Sequence, residues 1–121
     1  MEFWIKVEQI EELSISTALD GIGNQRDLYV ELLELMIQEI ENSDINLKRF
    51  LSENDMHNFR VEVHNMKGSL KSIGAMGIAQ KAYDLEIASR KVDVEFCISN
   101  LPVFLEELNN LCLKLKEVFS E

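Results

Sequence analysis

The chain has 121 residues, of which 46% are hydrophobic and 28% are charged, and its net charge is −10. This length suffices for a hydrophobic core, so residues 1–121 are expected to form a single domain without disulfides or a structural metal. The excess of acid disfavours nucleic acid and anionic lipid as main partners, because both bind basic surfaces. No apolar run approaches the ~20 residues that span a bilayer, which predicts a cytoplasmic protein or the cytoplasmic domain of a membrane-bound one.

The N-terminal part of the chain predicts two short helices. Only five glycines and one proline occur in the sequence, and apolar residues rarely alternate with period two, so an all-α fold is expected. A first short helix is indicated by four apolar residues at helical spacing: Trp4, Val7, Ile10 and Leu13. A second is expected at about Ile15 to Leu19, and it ends at the loop signal Asp-Gly-Ile-Gly-Asn of residues 20–24.

The first long helix is predicted to start at about Asp27. Its apolar face is formed by closely spaced residues: Leu28, Tyr29, Leu32, Leu33, Leu35, Met36 and Ile40. The polar run Asn42-Ser43-Asp44 is expected to break this helix, with Asp44 as the cap of a short helix. That short helix would carry Ile45, Leu47, Phe50 and Leu51. Asn54 or Asp55 is the predicted cap of the helix that follows.

Three further long helices complete the predicted fold. The apolar seam of the next helix has the spacing of a bundle helix: Met56, Phe59, Val63, Met66, Leu70 and Ile73. Residues 74–77 end it, and the following helix ends near Arg90. The last helix runs from about Asp93 to about Phe119, and its apolar phase holds across Pro102, which predicts one kinked helix rather than two. The sequence therefore predicts an antiparallel up-down four-helix bundle with short additional N-terminal helices.

One flank of the Met56–Ile73 helix carries an unusual set of residues. On a helical wheel it holds both histidines of the chain and three basic side chains, and no acid: His57, Arg60, His64, Lys67, Gly68 and Lys71. We call this set the basic flank. In a protein of net charge −10 it would attract an anion such as a phosphoryl group, or an acidic partner.

The position of Gly68 beside His64 suggests chemistry at the imidazole. Glycine in a helix interior costs about 1 kcal/mol relative to alanine, and its missing side chain leaves space for a large partner to approach His64. A neutral imidazole can act as a nitrogen nucleophile without a dedicated base. The flank thus predicts an exposed histidine that is covalently modified, and an ordinary solvated flank is the alternative.

The residues of this flank resemble a known signature. His64-Asn65-Met66-Lys67-Gly68-Ser69, followed by Ile73-Gly74-Ala75 and later by Leu85-Glu86, is similar to the signature of the histidine-phosphotransfer (HPt) domain family. That pattern is His-x-x-Lys-Gly-Ser/Ala, then Gly-Ala, and a Leu-Glu on the next helix. The resemblance extends more loosely over about residues 15–119.

The resemblance implies roles for individual residues. His64 would accept a phosphoryl group from a receiver-domain aspartate and pass it to another receiver. Lys67 would neutralise the charge of the phosphate, and Gly68 would admit the active-site loops of the receiver. Arg60 and Lys71, placed on the basic flank by the helical wheel, would add supporting positive charge.

Three further residues have supporting roles in the same comparison. Ser69 would occupy a small-residue position that faces a neighbouring helix. Glu86 lies where some members have a polar residue, often glutamine, that hydrogen-bonds the histidine. A glutamate at this position departs from the family pattern. Glu86 would either hold the imidazole of His64 through one ring nitrogen or face water. Arg90, one turn on, would lie near the phosphoryl site.

The resemblance also implies a phosphocarrier and not a kinase. The chain has no Gly-rich nucleotide loop and no kinase dimerisation motif, so neither ATP binding nor autophosphorylation is expected. We expect no cofactor on this domain, with Mg²⁺ on the receiver partner, and a monomer as the oligomeric state. The expected partners are receiver domains, including those of hybrid sensor histidine kinases. Three apolar residues near the first loop, together with His57, would form the surface that docks the receiver: Ile15, Leu19 and Ile22. Packing in the core is the alternative for these three apolar side chains.

Two other classes of protein compete with this interpretation. One is a non-catalytic adaptor bundle that binds partner proteins. The other is a metal- or cofactor-binding bundle, which is disfavoured because Glu-x-x-His pairs are absent and His57 lies two turns from His64. Cys97 and Cys112 lack metal-ligand spacing and are expected to be buried and reduced.

Overall fold

A computed structural model describes residues 2–120, which form six α-helices and no strand. The helices are α1 (Glu2–Glu8), α2 (Ile15–Gly21), α3 (Arg26–Ser52), α4 (Met56–Ser72), α5 (Met76–Arg90) and α6 (Val94–Phe119). Helices α3 to α6 pack in a closed ring in which α3 and α5 each contact α4 and α6. Short connections make neighbouring helices antiparallel, so the predicted up-down bundle with short N-terminal helices is confirmed.

The core lies along the seams that apolar spacing predicts. In α4 the whole predicted seam, from Met56 to Ile73, is buried. In α6 the buried positions Leu101, Leu105 and Leu108 continue past Pro102, and the helix is unbroken from Val94 to Phe119, as expected for a single helix. Pro102 is exposed to solvent, and its missing N–H removes one backbone hydrogen bond from the interior of α6.

The predicted break at residues 42–44 is wrong, because α3 is continuous from Arg26 to Ser52. Ser43 lies between Ile40 and Leu47 in the buried seam of α3, and its hydroxyl donates a hydrogen bond to the carboxylate of Glu62 on α4. This partner removes the tendency of a serine hydroxyl to bond to its own backbone and interrupt a helix. Ile45, assigned by the sequence to a separate short helix, is exposed on the outer side of α3.

The helix predicted from Trp4 to Leu13 is also shorter than expected. Helix α1 ends at Glu8, and Ile10 and Leu13 follow it in a turn, where Ile10 is still buried in the core. The ring of Trp4 stacks on Tyr29 at 6.2 Å between centroids. The hydroxyl of Tyr29 donates to the backbone carbonyl of Ile73 at 2.8 Å, and burial raises the pKa of Tyr29 to about 12. These contacts join α1, α3 and the end of α4.

The turn between α4 and α5 is fixed to the segment that precedes α2. The amide of Ser14 donates to the carbonyl of Gly74 at 2.9 Å. Gly74 has a φ of +84°, and a Cβ atom at this position would overlap the backbone carbonyl of Ser14. Both the backbone conformation and the close approach therefore require glycine here.

Two further sequence expectations concern the whole chain. Cys97 and Cys112 are buried with free thiols, and burial raises the pKa of Cys97 to about 11. Within residues 2–120, no helix combines the length and the hydropathy needed to cross a membrane.

Candidate functional site

Helix α4, which carries the basic flank, begins at a capping residue. Asp55 is the N-cap: its Oδ1 accepts a hydrogen bond from the backbone N–H of Asn58 at 3.2 Å, and its Oδ2 accepts one from the Asn58 amide at 2.7 Å. These hydrogen bonds lower the pKa of Asp55, because they favour the ionised carboxylate. The alternative cap, Asn54, lies in the preceding turn with a φ of +55°. Of the two predicted caps, Asp55 is therefore the one used.

His64 lies on α4 with its side chain 60% exposed. Its Nδ1 atom is 2.9 Å from Oε2 of Glu86 on α5. This is the ring's only hydrogen bond to protein among residues 2–120, so Nε2 is left without a protein partner in that range. One nitrogen is thus held by the protein and the other is available at the surface.

Glu86 is the buried centre of the site. It is only 5% exposed, and its carboxylate also accepts a hydrogen bond from Lys67 Nζ at 2.8 Å and one from Arg90 Nη2 at 3.2 Å. Burial raises the pKa of Glu86, but the hydrogen bonds from Lys67 and His64, with the charges behind them, together outweigh burial, and the net pKa is lowered. Of the two sequence alternatives, contact with the ring is the one observed.

The ionised carboxylate of Glu86 also assigns the proton on the imidazole of His64. A carboxylate is an acceptor only, so Nδ1 must carry the hydrogen that it shares with Oε2. In a neutral imidazole the lone pair then lies on Nε2. Nε2 is therefore the ring nitrogen whose lone pair is available at the surface.

Lys67 is held close to Glu86 and is only 16% exposed. Its Nζ atom also lies 5.1 Å from the centroid of the Tyr83 ring on α5. The sequence interpretation did not include Tyr83. The available signal was its position three residues before Glu86, because residues three apart lie on the same face of a helix.

The remaining residues of the basic flank surround this centre. Arg60 lines a shallow depression with His64, Glu86 and Val61, another residue that the sequence interpretation omitted. Gly68 is exposed, and a Cβ atom built on it would have no neighbour within 4 Å, so the surface beside His64 is open. Lys71 and His57 are exposed at the two ends of the flank.

Ser69 lies away from this centre. It lines a polar groove between α3 and α4 together with Ser43 and Glu62, so it faces a neighbouring helix as predicted for a small residue. Ser69 does not line the depression that contains His64 and Glu86. Any effect of Ser69 on the site would act through the packing of α3 on α4.

The apolar cluster near α2 divides into buried and partly exposed members. Leu19 is buried in the core, so its side chain packs and offers no docking surface. Ile15 and Ile22 are partly buried against the core, and their docking role stays a prediction. Exposed apolar side chains on the α4–α5 face belong instead to Val61 and Tyr83.

The composition of the site does not resemble a metal centre. Within residues 2–120, no three His, Cys, Asp or Glu side chains are grouped so that they could hold a metal ion. The groups around Glu86 are an imidazole, an ammonium and a guanidinium, and the last two cannot act as metal ligands in their charged forms.

Comparison with known families identifies the chain. Residues 31–118 match the family model described as Hpt domain, which is well over half of the chain, so the protein belongs to the Hpt-domain family. Searches of curated proteins and of solved structures gave no match. Membership implies histidine phosphotransfer in a phosphorelay, as a phosphotransfer intermediate rather than a kinase, and Hpt domains in general interact with receiver domains.

Proposed function

We propose that this protein is the phosphocarrier of a multistep two-component phosphorelay, with His64 as the phosphorylated residue. The observation that supports this most strongly is the hydrogen bond of 2.9 Å between His64 Nδ1 and the buried carboxylate of Glu86. It leaves Nε2 at the surface of a basic flank in an acidic protein. Such a site suits a phosphoryl group, which carries negative charge on several oxygens.

The transfer step follows from this arrangement. The lone pair of His64 Nε2 attacks the phosphorus of an aspartyl phosphate on the donor receiver. The P–N bond forms while the bond between phosphorus and the aspartyl oxygen breaks, and its electron pair returns to the aspartate carboxylate. The proton on Nδ1 stays in place, and Glu86 offsets the positive charge that develops on the ring. Transfer to the second receiver is the same step in reverse, with imidazole leaving in its neutral form.

The cations of the site would stabilise the transferred group. Phosphoryl transfer depends mainly on positioning and on neutralisation of charge. Lys67 would meet the phosphoryl oxygens first, with Arg60, Arg90 and Lys71 adding positive charge around it. We expect no cofactor on this domain, no ATP binding and no autokinase activity; a Mg²⁺ ion held by the receiver would supply the remaining charge.

The α4–α5 face would dock the receiver domain. Val61 and Tyr83 are exposed apolar side chains of this face: Val61 lines the same depression as His64, and the Tyr83 ring lies beside the Lys67 ammonium. A partner with an apolar patch bordered by acidic side chains would complement this face. One histidine and one docking face suffice for a monomer, and the protein is expected to act in the cytoplasm, free or within a hybrid sensor kinase.

The test is phosphoryl transfer from a phosphorylated receiver domain. Incubation should give the protein a label that is labile in acid and stable in base, as expected for phosphohistidine. His64→Gln should remove the label, whereas His57→Gln, the same change on the same flank, should keep it. Circular dichroism of both variants serves as the control for folding.

Two outcomes would refute the proposal. Transfer to the His64→Gln variant at the normal rate would exclude His64 as the acceptor. Binding of the receiver without any label would instead indicate the non-catalytic adaptor. Chemical phosphorylation with phosphoramidate, which needs no receiver, measures the reactivity of His64 separately from docking.

A further inference from the structure

We infer that Tyr83 is a positioning residue for phosphoryl transfer, because the face of its ring holds the Lys67 ammonium beside His64. The ammonium lies 5.1 Å from the ring centroid, within the range of about 6 Å in which a cation is attracted to an aromatic face. The inference rests on the proposed role of His64 as phosphate acceptor. It assigns to Tyr83 a part in that reaction that acts through Lys67 and not through contact with the phosphoryl group.

Lys67 needs such a partner because lysine is a poor positioning group by itself. Its four-carbon side chain is flexible, and its ammonium is strongly hydrated. Unlike the planar guanidinium of arginine, the ammonium does not impose a fixed geometry on its hydrogen bonds. Glu86 anchors it with one hydrogen bond of 2.8 Å, but a carboxylate also cancels the charge that the phosphoryl group requires. The ring of Tyr83 attracts the ammonium without carrying a net charge, so Lys67 is held while its positive charge is retained.

The surroundings of Lys67 agree with this role. Lys71, one turn further along the same flank, is exposed, whereas Lys67 is only 16% exposed. Helix α5 presents Tyr83, Glu86 and Arg90 at successive turns against α4. The ring, the carboxylate and the guanidinium thus form a row beside the basic flank, and the ammonium lies between the first two.

The matched variants separate the ring face from other properties of Tyr83. Tyr83→Phe keeps the ring and removes the hydroxyl, whereas Tyr83→Leu keeps an apolar side chain and removes the ring. Tyr83 is 41% exposed and Phe96, on α6, is 37% exposed, so Phe96→Leu is a control for loss of an exposed ring elsewhere. Each variant is phosphorylated by the receiver in single-turnover experiments over a range of receiver concentrations.

We expect Tyr83→Leu to lower the rate of phosphoryl transfer at saturating receiver and Tyr83→Phe to leave that rate unchanged. Tyr83→Leu should slow transfer at saturating receiver about two- to fivefold, which is the effect of a cation–π contact at a partly exposed site. Tyr83→Phe and Phe96→Leu should transfer at the wild-type rate. A wild-type rate for Tyr83→Leu would overturn the inference. So would an equal loss in Tyr83→Phe, or a change confined to the half-saturating receiver concentration, which would indicate docking.

A second measurement does not depend on phosphorylation. In the NMR spectrum of the unphosphorylated protein, the ring current of Tyr83 should shift the side-chain protons of Lys67 upfield. Tyr83→Phe should keep this shift and Tyr83→Leu should remove it; a Lys67 spectrum that is the same in all three proteins would refute the contact. Should His64→Gln still accept phosphate, the proposed function fails, whereas the NMR result continues to decide whether Tyr83 holds Lys67.

Discussion

Nδ1 of His64 and Oε2 of Glu86, 2.9 Å apart, connect an exposed ring on α4 to a buried charge on α5. The carboxylate of Glu86 also accepts hydrogen bonds from Lys67 and Arg90. One buried group therefore positions three side chains of the site. The same group contributes to the packing of α4 on α5. Changes at Glu86 should therefore affect both the stability of the bundle and its chemistry, and the two effects can be measured separately.

Glu86→Gln should lower the stability of the protein in a pH-dependent way. Because the folded protein lowers the pKa of Glu86, its stabilising contribution is complete above the unfolded value, about 4.5, and is lost as pH falls through the lower folded value. Wild type should exceed Glu86→Gln by about 1–2 kcal/mol in free energy of unfolding at neutral pH. Urea unfolding at neutral pH and at about pH 3 tests this. A difference of equal size at both pH values would contradict it.

The same substitution should slow phosphoryl transfer. The amide oxygen of the introduced glutamine can still accept from Nδ1–H of His64, so Nε2 should remain the phosphorylated atom. The charge opposite the developing imidazolium is lost, and a charged hydrogen bond exceeds a neutral one by about 1.4 kcal/mol, so the rate should fall about tenfold. Single-turnover kinetics measure the transfer rate, and ³¹P NMR of the product shows which ring nitrogen of His64 is phosphorylated. Glu62→Gln, a carboxylate change on the other side of α4, should transfer normally; an unchanged rate for Glu86→Gln would refute the role of the charge.

Substitutions of Gly68 should separate access from helix stability. Gly68→Ala should raise the free energy of unfolding by about 1 kcal/mol, since the added Cβ meets no neighbour and alanine favours the helix. Gly68→Leu should leave the helix formed and slow transfer from the receiver, because its side chain fills the space beside His64. Gly77→Leu, at another open glycine near the start of α5, is the matched control. Normal transfer by Gly68→Leu would refute the access argument.

Gly74→Ala should be far more damaging than a change at an open glycine. Its φ of +84° is unfavourable for alanine, and the added Cβ would also overlap the backbone of Ser14. Gly23→Ala shares the positive φ, at +66°, without any neighbour within 4 Å. Thermal unfolding should therefore show a loss of more than about 2 kcal/mol for Gly74→Ala and about 1 kcal/mol for Gly23→Ala. Equal losses would show that the contact with Ser14 contributes nothing.

Val92→Asn should stabilise the protein. Val92 has a φ of +56° in the turn after α5 and is exposed, so no packing offsets the cost of this conformation for a β-branched residue. Asparagine tolerates the left-handed region, and relief of strain should raise the free energy of unfolding by about 1 kcal/mol. Val103→Asn, at an exposed helical valine, is the control and should be close to neutral. A loss of stability in Val92→Asn would contradict the strain argument.

Features that depend on one helix could be predicted from the sequence. The spacing of the α4 seam indicated its buried face and, with it, the flank that holds His64 and Lys67, because the helical period fixes both. The cap at Asp55 is likewise local. The positions of two glycines also follow the sequence pattern: Gly68 lies on the open flank of α4, and Gly74 lies in the turn between α4 and α5.

Features that depend on two helices were harder to predict. The break expected at Ser43 does not occur, because the Ser43 hydroxyl donates a hydrogen bond to Glu62 on α4. That partner depends on the register of α3 on α4, which the sequence of α3 alone does not specify. The contact of Tyr83 with Lys67 requires the register of α5 on α4 for the same reason. Burial of Leu19 depends on where α2 lies against the bundle, which its own short apolar pattern does not specify.

The basic flank in a molecule of net charge −10 has a consequence for ionic strength. An acidic receiver is repelled by the whole molecule at long range and attracted to the flank only at close approach. Salt shortens the Debye length, to about 8 Å at physiological concentration, and so screens the distant repulsion before it weakens the close contacts. Moderate salt should thus accelerate the encounter between the two proteins, the reverse of the slowing seen where opposite net charges steer association.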